Sequence, residues 1–322
     1  MKITVAIPAY HFNDRLMACI NAIRNQRVIQ ADSIKVYDVN MSAELVSQVE
    51  QERCEVFAKF KYADFKETYL IAGIIDDNTD TDILILIDPS CEITRSAISE
   101  YFRLFLKFSD LALVYGRQMP DSNNNSLITR FWYSYFYPLV QRDEPLWHIS
   151  RIFCSYKMMA LKLPLLKPNY YHPQCDYNRL GDMFLAANIM HNGLRIMYNP
   201  LALATTTRKI TLADVYETAR DLQYFVQDNE WMRPIWNLRS NEVTLFAKQL
   251  FNYLHTYSSH PLTWFKGTLA YANIIAGLYV GRHNYEVDHN RALRQGKIKD
   301  NLTSKPLEKE LHWTIFLSLV LL

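Results

Sequence analysis

The chain has 322 residues, enough to bury a sizeable core as one large α/β domain or as a domain with a helical extension. Hydrophobic content of 49% and aromatic content of 13% exclude a disordered chain, and 35 basic against 33 acidic residues, a net charge of +2, give no electrostatic reason to invoke nucleic acid. The five cysteines (Cys19, Cys54, Cys91, Cys154, Cys175) are scattered, odd in number and without C-x-x-C spacing, which argues against a disulfide framework or a zinc site and for a reducing, cytoplasmic setting.

In chain order, short aliphatic runs alternate with helical periodicity. The pattern predicts a strand at Ile3 to Pro8, a helix at Asn13 to Asn25, a strand at Ser33 to Val39, a helix at Ala43 to Glu52 and a short strand at Glu55 to Ala58. A helix at Phe65 to Ile75 follows, then a strand at Asp82 to Asp88, a helix at Thr94 to Phe108 and a strand at Leu111 to Gly116. This β-α-β-α order implies an α/β fold with a doubly wound, mostly parallel sheet and helices on both faces. Residues 117 to 129 read as a polar, substrate-side connection into the aromatic run Phe131 to Tyr137. Beyond it the pattern predicts strands near Ile149 to Ser155 and Arg195 to Tyr198, helices at Leu180 to His191 and Leu212 to Gln227, and a mostly helical tail from Glu242 to Val280. The organisation expected is a domain over residues 1–235 and a helical extension over 236–322.

The segment Asp82 to Asp88 carries five consecutive aliphatics, Ile83 to Ile87, with no polar face. Such a strand is buried on both sides, as in a parallel sheet covered by helices. Open α/β sheets place ligands beyond the carboxyl ends of their strands, so Asp88 stands where a carboxylate can hold a nucleotide or its metal. With eight glycines there is no G-x-G-x-x-G after the first strand and no P-loop, which excludes a dinucleotide-binding oxidoreductase or P-loop enzyme. Met1 to Ala9 is too short an apolar run, too soon interrupted by Pro8, for a signal peptide. The apolar run Trp313 to Leu322 falls short of the ~20 residues that span a bilayer and reads as a buried helix or an interfacial foot.

Taken together these landmarks resemble the family 2 glycosyltransferases of GT-A fold, in their rhamnosyltransferase-like branch, over residues 3 to 285. Val5-Ala-Ile-Pro-Ala-Tyr10 is similar to the family's first strand and its I-P-x-Y/F loop. Asp38 matches its base-binding Asp, and Tyr115-Gly-Arg-Gln-Met-Pro120 its Y-G-R-Q-x-P segment. Gly181-Asp-Met183, with Tyr198 and Pro200 after the next helix, resembles the E-D-M helix and Y-x-P strand. The resemblance implies a nucleotide diphosphate sugar as donor, with Pro8, Ala9, Tyr10, Asp38, Asp88 and Ser90 at the nucleotide and Arg117 and Gln118 near the sugar or acceptor. Asp182 would be the base that takes the acceptor hydroxyl's proton, since an inverting transfer needs a carboxylate there and positive charge on the leaving diphosphate.

Departures from the family pattern fall where that charge is held. The family's D-x-D reads Asp88-Pro-Ser90, the Glu before the base is Gly181, the downstream H-S-H reads Thr206-Thr-Arg208, and T-R-N reads Thr68-Tyr-Leu70. Loss of a carboxylate and a His weakens a hard cation site, so Mg2+ or Mn2+ held through Asp88 stands beside a second source of charge, the guanidiniums of Arg151 and Arg208 on the diphosphate. Each residue also has a structural reading: Tyr10 as packing, Asp38 and Asp88 as helix caps, Asp182 as a first-turn acid, Arg117 and Gln118 as loop ties, Arg151 and Arg208 as surface ion pairs.

The expectation is a cytoplasmic, inverting glycosyltransferase, possible at the inner face of a membrane as a peripheral protein, that passes rhamnose or another hexose to a surface-polysaccharide or lipid-linked acceptor. The rival expectation is a catalytically inactive binding or assembly subunit of the same fold, which the eroded metal motif favours. The C-terminal helices would offer a contact for a membrane face or an oligomer.

Overall fold

The structure, a computed structural model, describes residues 1–9, 15–39, 41–57, 67–123, 126–137, 157–171, 181–211, 213–217 and 220–221, with Ala272, Ala276 and Val280 as single helical positions. The chain divides into two compact units, one of Met1–Thr211 with Trp231–Glu242 and one of Leu212–Glu230 with Val243–Leu322. The elements below all belong to the first.

Strand β1 (Ile3–Ala9) is buried at every position. It pairs in parallel with β2 (Ser33–Asp38) on one side and β4 (Ile83–Ile87) on the other, and β2 pairs in parallel with the short β3 (Glu55–Phe57). The helices between them are α1 (Leu16–Arg24), α2 (Ala43–Gln51) and α3 (Glu67–Asp76). Then come β5 (Cys91–Ile93), α4 (Ala97–Lys107), β6 (Leu111–Pro120), α5 (Leu127–Phe136), β7 (Met158–Lys162), a 3₁₀ turn at Leu163–Leu165, α6 (Pro168–Tyr171), α7 (Gly181–His191) and β8 (Arg195–Thr206). The eight described strands form one sheet in the order β3-β2-β1-β4-β7-β6-β8-β5.

That sheet is mixed. β7 runs antiparallel to both β4 and β6, β8 runs parallel to β6, and β5 closes the edge antiparallel to β8. Two antiparallel steps restore direction, so β1, β2, β4, β6 and β8 all end at the same edge of the sheet, and β7 begins there.

One core layer joins Ile3, Val5, Ile7 and Ala9 of β1 and Ile83, Ile85 and Ile87 of β4 to Leu16, Cys19, Ile20 and Ile23 of α1 and to Ala97, Ile98, Tyr101, Leu104 and Phe105 of α4. The period-two spacing on the strands and the i, i+4, i+7 spacing on α4 are what bring these chains onto one face. The alternate strand residues Thr4, Ala6, Leu84 and Leu86 are equally buried and face the other way. There α3, α6 and α7 pack on one another, and α7 on β6 and β8.

Several expectations shift. Residues Arg117–Pro120, read as the start of a loop, continue β6, and the aromatic run lies on α5. The strand read as Arg195 to Tyr198 runs on to Thr206 because Asn199–Ala202 bulge: the β6 partner moves from Gly116–Asn199 to Arg117–Leu203, and Asn199 Oδ1 accepts the Leu201 N–H at 3.0 Å. α4 begins at Ala97 rather than Thr94 because β5 takes Cys91–Ile93. The strand expected near Ile149 to Ser155 lies outside the described residues, as do most of the Leu212 to Gln227 helix, nearly all of the Glu242 to Val280 tail and the run Trp313 to Leu322. Among the described residues no helix is long and apolar enough to cross a membrane.

Candidate functional site at the carboxyl edge of the sheet

Register sets the first part of the site. Ala9 is opposite Asp38, and the Val39 N–H donates to the Ala9 carbonyl at 2.9 Å, so the ends of β1 and β2 lie side by side with Pro8 buried just before. Asp38 Oδ1 accepts the Met41 N–H at 2.6 Å, holding the turn into α2, while Ser42 caps that helix by accepting from Leu45 N at 3.3 Å. The helix cap is therefore Ser42 rather than Asp38, which instead holds the turn ahead of it with one oxygen.

Asp88 follows β4 and is 8% exposed. Its N–H donates to the Lys157 carbonyl at 3.0 Å and its carbonyl accepts Cys91 N at 2.9 Å, closing a turn with Pro89 in its second position. Asp88 Oδ1 accepts the Ser90 N–H at 2.8 Å and also the Ser90 hydroxyl. Ser90 Oγ lies 3.3 Å from Thr206 Oγ1, and Thr206 Oγ1 accepts the Arg208 N–H at 3.3 Å. Cys91 pairs with Thr206 across β5 and β8, which is what sets the two hydroxyls together.

Two residues that the sequence reading did not single out complete this corner. Tyr133 of α5, 4% exposed, is buried beside this corner; burial raises its pKa, the Cys91 side chain adds to that and Arg208 opposes it. Lys157 stands just ahead of β7 beside Asp88, and its charge opposes the burial and the Asp88 charge that together push the Cys91 thiol up to about 12. The signal for Lys157 was a cation just ahead of the apolar run Met158–Leu161, a run too short to identify as a strand without its partners. α5 also fixes the segment behind Thr206: buried Thr129 Oγ1 accepts Ile210 N at 2.9 Å and donates to the Ile210 carbonyl at 3.3 Å. Arg208, exposed, is carried between these two anchors.

Arg117 and Gln118 lie near the end of β6 with different surroundings. Arg117 Nε donates to the carbonyl of Tyr137, the C-cap of α5, at 3.3 Å, so this guanidinium ties helix to strand and completes a helix carboxyl end. Gln118 is 1% exposed and its Nε2 has no hydrogen-bond partner. Gly116 beside them is required by space: a Cβ would meet Tyr101 Oη, the Ala202 carbonyl at 2.6 Å and Met158 Cγ at 2.7 Å.

Asp182 is the first-turn acid of α7, 5% exposed, with Oδ1 accepting the Met183 N–H at 2.8 Å. α7 turns back through Gly193, which takes a φ of 76°, straight into β8. Helix and strand pack together in opposite senses, so Asp182 stands at the end of α7 nearest the carboxyl edge. Tyr10 and Arg151 lie outside the described residues, and nothing is described of the Thr68 and Tyr69 side chains.

The protein donors at this corner are few for a divalent cation. It offers one carboxylate, one oxygen of it taken by Ser90, and two neutral hydroxyls, and no group of three His, Cys, Asp or Glu stands among the described residues. Mg2+ at a nucleotide is held by one or two carboxylates with the phosphates and water, so this corner has the fewest anionic ligands such a site uses.

No protein-family model matches the chain, and no curated protein matches it. Solved structures do. Residues 1–349 of TarS from S. aureus superpose with a TM-score of 0.51 at 14% identity over 95% of each chain. The mannosyltransferase PcManGT from Pyrobaculum calidifontis, in complex with GDP-Man and Mn2+, gives a TM-score of 0.54 at 15% identity over 89% of this chain and 87% of that one. At such identities the likeness is one of fold, and the fold is GT-A-like α/β.

Proposed function

We propose that the protein is a glycosyltransferase that moves a sugar from a nucleotide diphosphate donor to a hydroxyl acceptor, with inversion. The observation that carries this reading is the gathering of Ala9, Asp38, Asp88, Gln118 and Asp182 at one carboxyl edge, from elements far apart in the chain, in a fold shared with a mannosyltransferase bound to GDP-Man. In this reading Pro8, Ala9 and Asp38, with Tyr10, hold the base and ribose, and the Asp88 corner faces the diphosphate. Gln118 Nε2, buried without a partner, gains an acceptor from the bound sugar; leaving such a donor unpaired costs about 1–3 kcal/mol.

Asp182 is the base. Held at the end of α7 by its own helix turn, it takes the acceptor hydroxyl's proton as that oxygen bonds to the anomeric carbon and the diphosphate leaves on the opposite side. Rhamnose or another hexose as the sugar, a polysaccharide or lipid-linked glycan as the acceptor, and a cytoplasmic place at the inner membrane face rest on the sequence resemblance alone. A second reading, a donor-binding subunit without catalysis, is favoured by the occupation of Asp88 by Ser90.

Calorimetric titration with UDP, GDP and dTDP and their hexoses tests the reading. Binding of at least one nucleotide diphosphate, weakened by Asp38→Ala, supports it. No binding across the panel contradicts both the enzyme and its binding-subunit rival.

A further inference from the structure

We propose that the leaving diphosphate is balanced by two side-chain cations, Lys157 and Arg208, in place of a divalent metal, with Ser90 occupying one oxygen of the carboxylate that would otherwise recruit one. The inference rests on the nucleotide-sugar reading above.

Topology places the cations. β7 starts at the edge where β4 ends, and the backbone bond from Asp88 N–H to the Lys157 carbonyl, 3.0 Å, makes Lys157 the residue directly across from Asp88. On the other flank β8 ends at Thr206, paired with Cys91 three residues after Asp88, and Arg208 follows two residues on. Asp88 therefore sits between a lysine and an arginine that arrive from different strands. Arg208 is not on a loose connection. Its N–H is bound by Thr206 Oγ1 at 3.3 Å, and Ile210 beyond it is held on both backbone groups by Thr129. An exposed guanidinium with an anchored backbone at each end loses less freedom when it closes on a phosphate than one on an unanchored loop.

The carboxylate points to the same conclusion. A metal-binding Asp lends one or both oxygens to the ion and the ion supplies the charge that meets the phosphates. Here Asp88 Oδ1 receives two donors from Ser90, and the Ser90 hydroxyl lies 3.3 Å from that of Thr206. These donors occupy one carboxylate oxygen without adding positive charge. Adding a diphosphate next to it would be repulsive unless cations flank it, and Lys157 and Arg208 are on the two flanks. A guanidinium keeps its charge throughout the accessible pH range and meets phosphate oxygens in a bidentate fork, and an ammonium adds a point charge.

The test is binding rather than turnover. UDP and GDP are titrated into the wild-type chain with Mn2+ and, separately, with excess EDTA, beside UMP and GMP as monophosphate controls. The expected result is diphosphate affinity that changes less than about threefold on chelation. Lys157→Met and Arg208→Gln should each lower it by roughly tenfold to a hundredfold, the range for losing one charged hydrogen bond, with little change for the monophosphates. Binding in Mn2+ that collapses in EDTA overturns the inference and leaves the nucleotide-sugar reading standing. No diphosphate binding in either condition overturns both. Should the cation variants not fold, Ser90→Asp gives an independent reading: a second carboxylate should weaken binding in EDTA and make it recover with Mn2+, and a variant indifferent to both contradicts the inference.

Discussion

Ser90 donates to Asp88 twice, through its backbone N–H at 2.8 Å and through its hydroxyl. A single residue thereby makes one oxygen of this carboxylate the acceptor of a local turn, at the end of a strand buried at every position. Replacing Ser90 by Ala removes one of the two donors and breaks the link to Thr206 Oγ1 at 3.3 Å. The expected outcome is a loss of roughly 0.5–1.5 kcal/mol in denaturant stability, the net worth of such a bond. Stability equal to wild type in urea melts would mean that the Ser90 hydroxyl contributes nothing to the corner.

Gly116 has no room for a side chain. A Cβ there would press on the Ala202 carbonyl at 2.6 Å and Met158 Cγ at 2.7 Å, one of them backbone that the β8 bulge holds in place. Gly116→Ala should cost about 1–3 kcal/mol by overpacking and displace the β6–β8 bulge. The measurement is a thermal melt with nucleotide titration; an unchanged melting temperature refutes the packing account.

Thr129 clamps residue 210 by two hydrogen bonds from a fully buried hydroxyl. Thr129→Val keeps the shape and removes both, leaving buried backbone groups unpaired at a cost of about 1–3 kcal/mol. Because the clamp positions Arg208, nucleotide diphosphate affinity should fall with it. Lower stability with unaltered affinity would separate the clamp from the site.

Alkaline pH should destabilise the fold through its buried thiols. Burial raises Cys19 well above its usual range and carries Cys91 to about 12. Below about pH 8 both thiols are neutral in folded and unfolded chains alike; above it the unfolded chain releases protons that the folded chain keeps, so stability falls as pH rises from about 8 toward the raised folded values, by up to about 1.4 kcal/mol per unit for each thiol. Urea midpoints at pH 8, 9.5 and 10.5 check this, and Cys91→Ala should flatten the slope. A slope unaltered by that substitution contradicts the role given to Cys91.

Much of this was legible in the sequence, for physical reasons. Ile83–Ile87 has no polar position, so it had to be covered on both faces, and its carboxyl end had to be an edge where Asp88 meets other strand ends. The alternation of β1, α1, β2, α2, β3, α3, β4 and α4 follows from such periodicity, and the GT-A-like fold from the resemblance of the motifs. What was not legible depends on pairing rather than on local pattern. β7 is five residues long and reveals itself only against β4 and β6, so the cation ahead of it, Lys157, could not be placed at the edge. The bulge at Asn199–Ala202 hid the second half of β8 and with it the meeting of Thr206 and Ser90. Tyr133 read as an aromatic core residue, and the Cys91 and Arg208 groups that act on it come from β5 and from the segment after β8.

The central claim, that Asp182 is the base of a glycosyl transfer, is tested most directly by comparing donor affinity and transfer rate in the wild type and in Asp182→Asn. The amide keeps the shape and an acceptor oxygen for the Met183 N–H now 2.8 Å from Asp182, so fold and donor affinity should stay within about twofold. Transfer should fall by ~10²–10⁴, the usual contribution of a general base. A variant that transfers sugar at the wild-type rate would contradict the account.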